Sequence, residues 1–164
     1  MSQLNQVLLH ENNRIGADLA AWLQGAGGKG LEKALTAPEA IIPLIKEAGL
    51  RGLGGSGFPT YKKWEFVAAQ DNTKEKYLIC NGNEDEPGTF KDKILLAEAP
   101  FQVIEGATIT ALATGCNHII FYINPDQVRS IEAMQAAVEQ WLASEFITRI
   151  EALLGKPCLL YTSP

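Results

Sequence analysis

Ile15, Leu19, Trp22 and Leu23 recur at helical spacing, so the chain opens on an amphipathic helix over Arg14 to Gln24. The stretch Gly25-Ala26-Gly27-Gly28-Lys29-Gly30 breaks that pattern and reads as a flexible connection. Thr36-Ala37-Pro38-Glu39 has capping-box spacing, with Thr36 as the cap of a second helix and Glu39 reaching back. This helix runs to about Ala48 and closes at Gly49. Pro43 is expected to kink or delay it, because proline offers no amide hydrogen. A glycine-dense loop, Arg51 to Gly57, leads into a short helix at Lys62 to Ala69.

Lys76 to Cys80 is an apolar run that reads as a buried, central parallel strand ending in the polar loop Asn81 to Gly88. Ile94 to Ala99 and Phe101 to Thr114 read as helices, Pro100 being well suited to a first helical position. His118 to Ile123 is a second strand, stopped by Asn124-Pro125. Asp126 is a candidate cap for a helix through Val128, Ile131, Met134, Val138 and Trp141. This alternation predicts an α/β fold: a Rossmann-like parallel sheet flanked by helices, incomplete at its C-terminal end.

The expected organisation is an N-terminal helical segment over 1–36, an α/β domain over 37–157 that is truncated, and a tail over 158–164. After a break at Gly155-Lys156-Pro157, the tail Cys158-Leu159-Leu160-Tyr161-Thr162-Ser163-Pro164 resembles a translated sequencing adapter more than native protein. The alternative is an ordinary strand. On the first reading the seven residues are not biological and the gene continues elsewhere.

Composition narrows the function classes. The 46% hydrophobic and 20% charged residues are those of an ordinary globular domain. A formal charge of −5 argues against a nucleic-acid partner, since phosphate binding wants a basic face. There is no apolar run of about 18 residues that would insert in a membrane, and no basic, apolar leader opens the chain, so a cytoplasmic setting is expected. Cys80, Cys116 and Cys158 are too widely spaced for a disulfide framework or a metal knuckle and read as buried thiols. His10 and His118 stand alone, and His118 reads as a satisfied structural residue. No metal site is expected.

Two loops carry candidate chemistry. Gly52-Leu53-Gly54-Gly55-Ser56-Gly57 has the spacing G-x-G-x-x-G, but it follows a helix rather than a strand, unlike the usual dinucleotide fingerprint. Its glycines permit positive φ and bring a flat or anionic ligand close to backbone amides, with Arg51 and Lys63 nearby. Phe58, Trp64 and Phe66 follow within nine residues and can stack on a purine or flavin, or simply fill a core. The second loop, Asn81-Gly82-Asn83-Glu84-Asp85-Glu86-Pro87-Gly88, leaves the carboxyl end of a strand, where open α/β sheets bind ligands. Its amides and carboxylates suit hydroxyl groups and polar ring edges, while a solvated acidic turn is the structural alternative. The two loops are expected to converge on one pocket.

In order and spacing, three segments together resemble one family: Gly49 to Thr60, Lys63-Trp64-Glu65-Phe66, and Cys80 to Asp92. It is the NADH-binding 51-kDa flavoprotein subunit of respiratory complex I, with the related diaphorase subunits of NAD-linked hydrogenases and formate dehydrogenases. The resemblance implies FMN and NAD(H) as cofactors. Gly52, Gly54, Gly55 and Lys63 would contact the FMN phosphate and ring, with Gly57 completing the loop. Asn81, Asn83 and Glu84 would form a polar flavin loop. Phe58 and Phe66 would stack on the adenine of NADH, and Glu86 would lie near the nicotinamide. No side chain would act as nucleophile or general base, because the cofactors carry the chemistry.

Leu53 stands where the complex I subunit usually has arginine, and Asn83 where it usually has aspartate; both favour a diaphorase relative. The family's later glutamate segment and its cysteine-ligated 4Fe-4S cluster do not occur in this sequence. The implied protein is an NADH:acceptor oxidoreductase subunit that partners other subunits, among them a thioredoxin-like 2Fe-2S subunit. Through them it would sit peripheral to the inner membrane. The 164 residues alone are expected to be inactive. Competing readings are a non-catalytic nucleotide-binding module and the soluble subunit of an ion-pumping NADH:ferredoxin system.

Overall fold

The computed structural model describes residues 10–163 apart from Ala26 and Gly54. A short 3-10 turn at Glu11–Asn13 precedes α1 (Leu19–Gln24), α2 (Lys29–Thr36), α3 (Ile41–Glu47) and α4 (Thr60–Ala68). Then follow β1 (Tyr77–Gly82), α5 (Lys91–Glu98), α6 (Pro100–Thr114), β2 (His118–Ile123), α7 (Val128–Leu142), α8 (Glu145–Leu154) and β3 (Leu159–Ser163). The three strands form a parallel sheet in the order β1-β2-β3, with Tyr77 opposite His118 and His118 opposite Leu159. Helices flank the sheet: α6 packs on β1 and β2, α7 on β3, and α5 against α7. This is the α/β architecture that the alternation predicts.

Several local expectations need correction. The first helix is shorter than its apolar spacing suggests. Gly16 takes φ +64°, outside the helical region, and α1 begins only after Asp18, whose carboxylate accepts from the Ala21 amide at 2.9 Å. Thr36 does not open the next helix. It ends α2, and its hydroxyl donates to the Glu32 carbonyl at 2.8 Å. Pro43 lies in the first turn of α3, where no intrahelical amide bond is needed, so it neither kinks nor delays that helix. Asp126 does not cap α7. Gln127 holds that position without a side-chain bond, and the Asp126 amide donates to the Asn124 side chain at 2.9 Å. The helix α8 has a buried stripe at Phe146 and Ile150 that the sequence reading passes over.

The strand β1 differs most. It lies at the edge of the described sheet rather than at its centre, with one neighbour and alternating burial. Leu78, Cys80 and Gly82 turn toward the helical core together with Ile119, Phe121 and Ile123 of β2. Tyr77, Ile79 and Tyr122 lie exposed on the opposite face. A parallel strand becomes an unbroken buried run only when covered on both faces. The tail that reads as non-native takes the third-strand position, with Cys158 and Leu160 buried.

The core is built around aromatic contacts that draw the N-terminal helices in. The Trp22 ring lies 5.7 Å from Phe101 and 5.9 Å from Trp141, which in turn stacks on Phe146 at 5.2 Å. Such pairs are worth about 0.5–1.5 kcal/mol each beyond their buried area. Glu105 of α6 accepts from the Leu31 amide at 2.8 Å and so fastens the start of α2 to the core. Burial pushes the Glu105 carboxyl up even though helix amides bond it. Cys116 and Cys158 are buried, whereas Cys80 is half-buried; burial raises the Cys80 thiol and takes that of Cys158 to about 11.

Candidate functional site

The glycine loop is a closed excursion between α3 and α4. Gly49, at φ +63°, turns the chain out of α3. An antiparallel bridge between Arg51 and Pro59 pins the base, with the Gly52 amide donating to the Phe58 carbonyl at 2.9 Å and Thr60 to Leu50 at 3.0 Å. Above that base the backbone needs glycine. Gly55 and Gly57 sit at φ +98° and +58°, and a Cβ built on either would meet nothing within 4 Å. The space over the loop is therefore open, not filled by packing. Gly54 lies outside the described residues.

Side chains around this open surface are basic and aromatic. The Arg51 guanidinium donates to the Gly57 carbonyl at 3.3 Å. Lys63, one turn into α4, holds its ammonium 5.8 Å from the centre of the Phe58 ring. Phe66 follows on the same helix with 64% exposure, and Leu53 at the loop tip is 99% exposed. No residue of α4 is fully buried. An exposed apolar helix beside a bare glycine loop is surface available to a ligand rather than core.

The loop after β1 is built in the opposite way: its polar groups bond one another. The Asn81 side chain accepts from the Asn83 amide at 3.0 Å, and the Asn83 side chain donates to Asp85. Asp85 also accepts from Asn124 at 2.7 Å, which ties this loop to the one leaving β2. The Glu86 carbonyl accepts from both the amide and hydroxyl of Thr89, while its carboxylate stays exposed. Asn124 is the participant that sequence reasoning missed; the available signal was an asparagine directly after an apolar strand.

Glu84 has a specific and unexpected partner. Its side chain is only 1% exposed, and its carboxylate accepts from the amides of Lys91, Asp92 and Lys93 at 2.8, 3.0 and 3.3 Å. These are the first amides of α5, so Glu84 caps that helix from seven residues upstream. Burial pushes its carboxyl up. The three amides and the Lys91 ammonium at 3.7 Å outweigh this and hold it below the usual carboxylate range.

A cavity of about 560 Å³ opens at the carboxyl ends of β1 and β2, lined among others by Glu84, Lys93, Asn124, Gln127 and Arg129. No glycine-loop residue lines it, so the two loops do not meet in this cavity as the sequence led us to expect. Gly52, Gly55, Gly57, Phe58, Lys63 and Phe66 form one surface. Asn81, Asn83, Glu84 and Glu86 form another at the strand ends. No helix among the described residues is long and apolar enough to cross a membrane.

Residues 45–156 match the family described as Nuo51 FMN-binding domain. A second F-type component of the NADH-quinone oxidoreductase of Rhizobium meliloti is 44% identical over 124 residues, which are 74% of this chain and 29% of that protein. The F-type component of the Aquifex aeolicus NADH-quinone oxidoreductase is 39% identical over 138 residues, 84% of this chain and 32% of that one. The chain thus spans less than a third of these relatives. Among solved structures, an NAD+-reducing [NiFe]-hydrogenase in its H2-reduced state superposes with a TM-score of 0.70 at 31% identity. That superposition covers 92% of this chain and 25% of the other.

Proposed function

This chain belongs to the Nuo51 FMN-binding domain family, and on that premise we propose that it forms the cofactor-gripping part of an electron-input flavoprotein that oxidises NADH. The observation carrying this reading is the open glycine loop, with positive φ at Gly55 and Gly57 and exposed Phe58 and Phe66 beside Lys63. That donor set suits the group. Backbone amides with two nearby cations fit a phosphate, glycine leaves room for a flat ring, and the aromatics offer stacking faces.

FMN, when bound, accepts hydride from NADH and returns electrons one at a time to iron–sulfur centres. The chain's own task is to bind and orient. The amides of the Gly52–Gly57 loop and Lys63 take the phosphate end. Phe58 and Phe66 take the adenine of NADH. Asn81 and Asn83 face hydroxyls and ring edges of the flavin, and Glu86 faces the nicotinamide. Glu84 serves the same loop from behind by capping α5. The acceptor lies in a larger assembly: a quinone reductase, a hydrogenase or a formate dehydrogenase. It includes a thioredoxin-like 2Fe-2S subunit, and a 4Fe-4S centre in the remainder of the full-length protein. The assembly is cytoplasmic and meets the inner membrane only through its partner subunits.

Anaerobic addition of NADH to the full-length protein tests the proposal. Bleaching of the flavin bands by one equivalent of NADH per flavin is the expected result. A preparation that holds no flavin, or whose flavin NADH leaves oxidised, overturns it.

A further inference from the structure

Lys76 is the one lysine of the described chain that is buried, at 8% exposure, and the cofactor surface makes no use of it. Its ammonium donates to the carbonyl of Val67 at 2.9 Å, to the Asn72 side chain at 2.7 Å and to the carbonyl of Thr114 at 3.2 Å. Three donors thus meet three neutral oxygens, which satisfies the group completely. Val67 and Thr114 lie in the last turns of α4 and α6, where unpaired carbonyls gather partial negative charge and favour a cation. The chain makes room for this cluster. At Gly115, with φ +72°, an added Cβ would come within 2.9 Å of the Asn72 side-chain oxygen and 3.6 Å of the Lys76 ammonium.

The backbone of the same residue begins the sheet. The Lys76 carbonyl accepts from the amides of Asn117 and His118, both at 3.2 Å, where the β1–β2 ladder starts. Among the described residues, no other side-chain hydrogen bond joins α4 to this root of the sheet. The helix α4 has no fully buried residue of its own to fix its angle. It carries Lys63 and Phe66, whereas β1 ends at Asn81 and Gly82.

We propose that Lys76 is a positioning residue: its buried ammonium sets α4, with Lys63 and Phe66, at a fixed distance from the loop leaving β1, and so holds the two halves of the cofactor surface in register. This rests on the flavin reading above. Removing the three bonds leaves three carbonyl-type oxygens without their donor and frees α4 to shift against the sheet.

The test uses the full-length protein with Lys76→Met, which keeps the aliphatic stem, alongside Lys76→Arg and the milder Asn72→Ala. Hydrogen exchange is followed at the α4 amides and at the β2 amides as an internal reference, and FMN affinity is measured by titration after flavin removal. Loss of charge-assisted bonds predicts α4 exchange faster by about tenfold or more in Lys76→Met, unchanged β2 exchange, and FMN binding about tenfold weaker. Lys76→Arg should recover most of both changes. Should Lys76→Met fail to fold, Asn72→Ala is expected to move both readouts the same way by about threefold. Unchanged α4 exchange overturns the proposal, and so does loosening of α4 and β2 alike, or a loosened α4 with unaltered FMN affinity. A wild-type protein that takes up no FMN defeats the functional reading instead, while the exchange comparison still decides whether Lys76 fixes α4.

Discussion

The glycine loop and the loop after β1 are both polar, both rich in small residues and both beside the start of a helix, yet they are opposite kinds of surface. In the second, Asn81, Asn83 and Asp85 bond within the loop, Asp85 reaches Asn124, and Glu84 is spent on the first amides of α5. In the first, the bonds stop at the base formed by Arg51 and Pro59, and the crown presents positive-φ glycines to open space. A loop whose hydrogen bonds close on themselves is scaffold that shapes its neighbours. A loop whose backbone is left bare is made to be completed by something else.

The largest expected effect that separates them comes from Glu84→Ala. It leaves three helix-start amides without their charged partner and should cost about 2–3 kcal/mol of folding stability, read by denaturant unfolding. Its pH dependence has a definite sign. The folded-state carboxyl titrates below its usual value of about 4.3. Its contribution is therefore fully present above that value and is lost as pH falls through the lower, folded one. Wild type should lose this increment on acidification, and Glu84→Ala should show a flatter acid limb. A stability equal to wild type would return Glu84 to the ligand surface.

Phe66→Ala is expected to behave in the reverse manner. At 64% exposure it should change unfolding by less than about 0.5 kcal/mol. In the full-length protein it should weaken NADH binding by about 1–2 kcal/mol, roughly five- to thirtyfold, with FMN affinity spared. Equal losses of NADH and FMN would contradict the division of labour between the aromatics and the glycines.

Gly57→Ala should have the smallest effect, about 1 kcal/mol, because alanine disfavours φ +58°. No packed neighbour confines that position, so the loop can relax without unfolding the domain. The loss should then appear as roughly fivefold weaker FMN binding, measured by flavin fluorescence, rather than as a lower melting temperature. A lower melting temperature with unchanged FMN affinity would make the loop a structural turn.

The contrast between the loops was only half legible in the sequence. Glycine at Gly55 and Gly57 signals positive φ by itself, and both positions have it. The aromatics at Phe58 and Phe66 could equally have been core, and only their exposure decides against that. For the acidic loop the residue types were read correctly as polar, but their partners were not. The Glu84 bonds span seven to nine residues and the Asn124–Asp85 bond spans 39, separations at which no local pattern operates. Likewise the run Tyr77 to Cys80 looks like a doubly buried strand because its residues are apolar. Which face is covered depends on layers contributed elsewhere in the chain. Strand β2 and helix α6 were legible nearly to their ends, since burial, period and the flanking Pro100 and Asn124 agree.

Hydrogen exchange of the full-length protein with and without FMN tests most directly whether the bare loop is the flavin's seat. The expected result is that FMN slows the amides between Gly52 and Phe58 more than any in the self-bonded stretch from Asn83 to Thr89. Tight FMN binding that leaves the Gly52–Phe58 amides exchanging at their original rate would contradict it.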